Sequence, residues 1–367
     1  MRNMKNVRTL SALAILLFLG SPLYSQTDTT DYEDEEDYSM YDDIDFADEA
    51  AKRYASPKII GISPSKLIYL GYDYQGPYEM QFDGLDSTAG DTFTANSTTG
   101  IRLGCSIPVI SRNSIVWQMG FNYWESRFNI DQSSDPGFGA GPVARTHLNN
   151  TFRTTGINTT LFKPLGEEQF ILFQGSADLN GDYTFSDLMP LKYLKYSAAA
   201  LWGKRPNDRT QWGIGLARTY RVGELNYIPI VMYNWTDVEN KWGTEILFPA
   251  RANVRRTINP RNMVFAGFEL QGQSYRLYND VNLRSQDLEI RRGEIRLRME
   301  YQFSIKDFLW ISAQAGYRIN YRYTTDYLPD GKEIYRAFGL LKDDPYVMDN
   351  NITNPWYMNV SLNLVSP

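Results

Sequence analysis

The sequence predicts an all-β chain, a transmembrane antiparallel β-barrel of about twelve strands. Three observations carry that expectation: long strands with one oily and one hydrated face, an exported N-terminus with no spanning helix after it, and connections that alternate between short and long. The stretch Glu294 to Tyr301 is the clearest. Successive strand side chains point to opposite faces, so Ile295, Leu297, Met299 and Tyr301 share one side and Glu294, Arg296, Arg298 and Glu300 the other. Trp310 to Tyr323 repeats the pattern, with Ile311, Ala313, Ala315, Tyr317, Ile319 and Tyr321 against Gln314, Gly316, Arg318, Asn320 and Arg322. The closing stretch sets Trp356, Met358, Val360, Leu362 and Leu364 against Tyr357, Asn359, Ser361 and Asn363. A soluble sandwich shows one such face per strand as well. Repetition over long strands is the signature of a barrel in lipid.

Residues 1–25 read as a secretory signal peptide: Arg2, Lys5 and Arg8, an apolar run from Leu10 to Leu19, then Gly20 and Pro22 before cleavage after Ser25. That run is shorter than the roughly 20 apolar residues a spanning helix needs, and no later stretch approaches that length. The single cysteine, Cys105, lies far from the cleavage region, which excludes a lipid-modified N-terminus, an intramolecular disulfide and a Cys-based zinc site. Residues 26–56 form an acidic leader, with twelve acidic residues and no Lys or Arg between Asp28 and Glu49. Such a segment cannot build a core and is expected to be disordered alone. Tyr32, Tyr38, Met40, Tyr41, Ile44 and Phe46 are interleaved with its acids, so both a solvated spacer and a docking arm remain open. From Ala51 onward 34 Lys and Arg stand against 31 Asp and Glu, so a mildly basic body follows the leader. Aromatic residues make up 14% of the chain while mean hydropathy is only −0.43, as expected when alternation hides an apolar surface from a windowed average.

Residues 57–367 are expected to form the barrel. Strands fall at about Ser65–Phe82, Ala95–Ile110, Ser114–Ile130, His147–Phe162, Gln169–Phe185, Lys192–Lys204, Thr210–Arg221 and Leu225–Trp235. They resume at Asn262–Tyr278, Asp287–Ser304, Phe308–Tyr323 and Asn354–Val365. Short turns such as Ser111-Arg112-Asn113 and Asn259-Pro260-Arg261 suit the periplasmic side, and long links such as Asp131–Thr146 and Thr324–Thr353 the outside. Lys241–Thr257 breaks this alternation. A single crossing there leaves thirteen strands, so twelve strands with both termini in the periplasm follow if Trp242–Thr257 is not in the wall. Pro249 in its middle supports that reading, since proline removes a ladder donor. Arg251, Arg255 and Arg256 then become candidates for a plug or mouth. Two short wall strands there would give fourteen instead.

No catalytic, cofactor-binding or metal site emerges. His147 is the only histidine and sits beside a long link, where a surface role outweighs that of a base. Gly137, Gly139 and Gly141 do not open a helix after a strand, and Asp343-Asp344 falls in a long link. The informative charges are Glu294, Arg296, Arg298, Glu300, Arg318 and Arg322. A mid-membrane Arg facing lipid costs about 2–4 kcal/mol, so all six are expected to line the lumen. A self-neutralising ladder that stiffens the wall and a constriction that favours anions both fit them.

The signal peptide ending in Ser25-Gln26, the acidic Tyr-rich leader and the pattern Ile228-Pro229, Asn240-Lys241-Trp242, Leu247-Phe248-Pro249 resemble an outer-membrane β-barrel family of unknown function from Gram-negative bacteria. The resemblance implies a barrel resident in the outer membrane and offers no catalytic residues. Many such barrels end in an aromatic residue read by the insertion machinery, whereas this chain ends Leu364-Val365-Ser366-Pro367. The expected partners are outer-membrane lipid and that machinery, with no nucleic acid. Two roles follow: a narrow channel or structural barrel for small, anionic solutes, or a non-conducting barrel docking an envelope complex through its leader.

Overall fold

The computed structural model describes residues 55–83, 90–131, 151–184, 194–221, 225–277, 288–327, 336–337 and 347–365. The signal peptide, the leader as far as Tyr54, His147, the three glycines at 137–141 and Asp343-Asp344 lie outside them.

Alternating side chains give strands buried on one face, and fourteen of them close into a ring. In chain order they are β1 Lys66–Gln75, β2 Asp91–Arg112, β3 Ile115–Ile130, β4 Thr151–Pro164, β5 Gln169–Gly181, β6 Lys195–Asn207 and β7 Thr210–Thr219. There follow β8 Asn226–Thr236, β9 Trp242–Phe248, β10 Arg251–Asn259, β11 Asn262–Leu277, β12 Leu288–Lys306, β13 Leu309–Tyr327 and β14 Trp356–Val365. Each is antiparallel to its neighbours, and β1 closes the ring by pairing with β14 from Lys66 opposite Val365 to Gln75 opposite Tyr357. Past Gly76-Pro77 the β1 wall continues as Tyr78–Phe82 against the start of β2. The first strand therefore begins, and the last strand ends, at the rim that carries the tight turns.

Fourteen strands correct the expectation of twelve. Trp242–Thr257 is neither plug nor loop: β9 pairs with β8, and β10 with β11, as a hairpin in the wall. Pro249 costs no ladder bond because it occupies the turn between them. Of the three plug candidates, Arg255 points inward and is 1% exposed, Arg256 lies on the outer face over the Trp242 ring at 5.1 Å, and Arg251 stands at the hairpin tip.

The exterior carries the apolar series expected of a lipid-facing wall. Ile68, Leu70 and Tyr72 on β1, Ile214 and Leu216 on β7, Leu297, Met299 and Tyr301 on β12, and Met358, Val360 and Leu362 on β14 are all exposed. On β14 the series from Trp356 to Leu364 extends about 27 Å along the strand, close to an apolar band about 25 Å tall once tilt is allowed for. In water so much exposed apolar surface would be unstable; in lipid it is the solvated face.

Candidate functional site

Side chains of opposite parity fill the interior in three tiers. Toward the long links, Tyr78, Met80, Phe82, Phe93, Phe152, Tyr275, Ile290 and Tyr323 form an apolar cluster inside the wall. Toward the tight turns a second cluster gathers Ala55, Phe162, Phe170, Leu201, Ile230 and Met232. Between them lies a band of charge.

Glu294 is the centre of that band. Its carboxylate takes Arg296 at 2.7 Å and Arg292 at 2.9 Å, and also pairs with Arg318 on β13. Arg296 stands 4.0 Å from Asp73 of β1, which also pairs with Arg102 of β2. Arg298 reaches Glu269 at 3.1 Å and Glu300 at 3.6 Å, and Glu300 takes Lys66 at 3.5 Å. Trp124 covers the Arg102 guanidinium at 4.0 Å and that of Arg296 at 5.4 Å. Trading water for paired carboxylates and ring faces is what keeps such charges tolerable inside. Glu294, Arg296, Arg298, Glu300 and Arg318 thus come together as one network. Arg322 does not join their phase. A bulge sets Glu294 opposite Asn320 but Gly293 opposite Arg322, so strict alternation fails at Tyr321 and Arg322 shares the parity of Gly293. Beside the network, Trp124, Gln271, Gly272, Gln273, Tyr275, Arg292 and Glu294 line a small cavity with space for about one water molecule.

Two features have no counterpart in the expectations above. The first is a partition. At the far ends of β11 and β12, Ser274 to Leu277 and Leu288 to Ile290 are buried on both parities, so this end of the hairpin is covered on both faces and reaches in to β5 while β12 stays paired with β13. Arg276 pairs in parallel with Gly181 of β5, and Lys195 of β6 meets Glu289 at 2.7 Å. Glu289 holds Arg291 at 3.1 Å, and Arg291 holds Asp326 at 3.3 Å. The sequence signal was charge on both parities at Arg276, Glu289, Arg291 and Arg292.

The second is a strap. Ala55 donates its N–H to the Gly166 carbonyl in the β4–β5 turn, and Ile60 donates to Asp208 in the β6–β7 turn. Ser63 then donates through its backbone at 3.1 Å and its hydroxyl at 2.7 Å to Glu245 on β9. The chain therefore crosses the tight-turn mouth before it starts β1. Gly61, at φ 76°, lies so near Thr236 that a Cβ would come within 2.8 Å of the threonine methyl, which excludes larger residues. Arg255 anchors the same corner, 3.4 Å from Glu245 and 2.9 Å from the Thr236 hydroxyl. Among the described residues no group of three or more His, Cys, Asp or Glu side chains gathers as a metal site would need.

A closed antiparallel ring with an apolar belt outside and paired charges within defines the membrane-spanning β-barrel class. Residues 144–363 match the family described as "Domain of unknown function (DUF6268)", and the chain belongs to it. No curated protein sequence matches it. Among solved structures, an outer membrane channel from Pseudomonas putida F1 is 11% identical, covering 86% of this chain and 98% of that one, with a TM-score of 0.36. The P. putida toluene transporter TodX is 9% identical over 84% and 92%, at 0.33, and the Escherichia coli outer membrane protease OmpT 10% over 83% and 98%, at 0.28. Likeness at that level carries no inference about this chain's activity. The assignment to the barrel class rests on its own register and exterior.

Proposed function

We propose that the protein is an outer-membrane barrel offering a narrow, anion-favouring passage for a small solute, with its tight turns toward the periplasm. The signal sequence and the apolar belt support the location. The observation that carries the passage is the charge of the central band. Lys66, Arg102, Arg292, Arg296, Arg298 and Arg318 oppose only Asp73, Glu269, Glu294 and Glu300, six cations against four carboxylates. A low-dielectric wall focuses such an excess on whatever passes, and basic rings favour anions. Fourteen strands also exceed the eight whose interior side chains alone can fill. The test is the reversal potential of single channels in a planar bilayer under a chloride gradient. Anion selectivity that falls in Arg298→Gln supports the passage; cation selectivity or lasting silence overturns it.

The strap favours a second reading, a barrel that docks a periplasmic protein. It leads directly from the leader to the mouth, so a partner bound to the acidic residues would act on the segment that crosses it. Co-purification of a periplasmic protein with the full chain, lost when Thr27–Glu49 is removed, together with electrical silence, would favour docking.

A further inference from the structure

The outer face of the wall is apolar, so a charge on it calls for a partner. In the tight-turn half of the wall Lys163, Lys204 and Arg256 face outward, and no carboxylate of the described strands does so. The direction of Arg256 is set by its neighbours. Val254, two residues back, is exposed on the outside, whereas Asn253 and Arg255 point in to Arg298 and Glu245. Arg256 is exposed, and among the described residues no carboxylate lies within ion-pair reach of it. What holds it is the Trp242 ring, whose centre is 5.1 Å from the guanidinium carbon. Lys241, next along the chain from Trp242, is already taken by Glu239 at 2.7 Å. The guanidinium thus keeps its charge uncompensated and its N–H groups free beside an oily surface.

Ladder partners on adjacent strands stand about 4.8 Å apart. On the outer face Trp242 is opposite Arg256, Arg256 opposite Val264, and Val264 opposite Tyr301. The cation therefore sits in a row about 14 Å long with an exposed aromatic ring at each end. Tryptophan and tyrosine collect where lipid headgroups begin, which puts Arg256 at the level of the phosphates. The next row toward the long links is low, with Thr244, Val254 and Ala266 side by side and Ala252 beyond Val254. Ile246 and Phe268 flank Ala252, and Met299 stands beyond Ala266. The small side chains between these larger ones form a shallow trough that leads from Arg256 up the apolar belt. A cation at the foot of an apolar trough has the outline of a phospholipid, phosphate at one end and acyl chain along the other. Guanidinium groups bind phosphate oxygens through paired N–H donors, and a ring face holds the plane in position for them.

We propose that Arg256, Trp242 and the trough over Thr244, Val254 and Ala266 form a seat for one anionic phospholipid of the leaflet at the tight-turn rim. One uncompensated guanidinium matches one phosphodiester. A headgroup with a fixed cation of its own would bring like charge against Arg256, so the seat selects phosphatidylglycerol over phosphatidylcholine. The seat lies outside the wall and stands or falls independently of any axial passage.

The test is native mass spectrometry of the full chain in a mild nonionic detergent, titrated with dioleoylphosphatidylglycerol or dioleoylphosphatidylcholine. Folding of each protein is checked by heat-modifiable electrophoretic mobility. The first phosphatidylglycerol should bind at least about fivefold more tightly than the first phosphatidylcholine. Arg256→Gln should weaken that first phosphatidylglycerol at least about fivefold, and so should Ala266→Phe, which keeps the charge and fills the trough. Arg261→Gln, which removes an equal charge from the neighbouring turn, should leave it unchanged. If Arg256→Gln does not fold, Ala266→Phe decides on the same threshold. Equal affinity for the two lipids overturns the seat, as does undiminished binding in folded Arg256→Gln or Ala266→Phe. An equal loss in Arg261→Gln overturns it as well, because binding would then follow net charge rather than this place on the wall.

Discussion

Lys195 of β6 and Glu289 of β12 meet at 2.7 Å, although five strands lie between them by the shorter way along the wall. This contact exists only because the end of the β11–β12 hairpin reaches into the interior, so it reports directly on the partition. Removing one partner of a buried pair strands the other, at a cost of about 3–5 kcal/mol. Lys195 keeps 18% exposure, which favours the lower end of that range. Glu289→Ala should lower the temperature at which heat-modified mobility is lost, and Glu289→Ala with Lys195→Met should recover part of it. Equal transition temperatures for all three proteins would mean the partition does not depend on this pair.

Leu297 and Arg298 are neighbours on opposite faces of the wall. Leu297 is 45% exposed on the lipid side, whereas Arg298 lies inside with Glu269 and Glu300. Leu297→Arg should cost about 2–4 kcal/mol and depress assembly yield far more than Arg298→Leu, which leaves no charge in lipid. Matching yields and matching heat-modifiability would contradict this assignment of faces.

Ser63 is tied to Glu245 through two hydrogen bonds to one carboxylate. Losing bonds to a charged acceptor is worth about 1.5 kcal/mol or more, which makes release of the strap roughly tenfold more frequent. In Ser63→Ala, which removes the hydroxyl bond and leaves Glu245 to the buried Arg255, trypsin should cut after the exposed Lys58 about tenfold faster, with barrel mobility on gels unchanged. Cleavage at the original rate would place the strap's hold elsewhere, at Ala55 and Ile60.

The alternation of faces was legible in the sequence because a strand's two-residue period is local: Leu297 against Arg298, or Met358 against Asn359, needs no knowledge of the partner strand. That alone determined the barrel class, the apolar exterior and the inward set of Glu294, Arg296, Arg298, Glu300 and Arg318. The tertiary structure decided what depends on distant neighbours. Whether Pro249 breaks a strand or turns a hairpin is settled by the ladders of β8 and β11 on either side, and with it the count of fourteen and the wall positions of Arg251, Arg255 and Arg256. The bulge opposite Gly293 moves Arg322 out of phase through pairing that Arg322 itself does not encode. The partition and the strap bring together residues 94 positions apart, Lys195 with Glu289, and 182 apart, Ser63 with Glu245. Their geometry is set by how the closed ring fills its own interior, which no local period records.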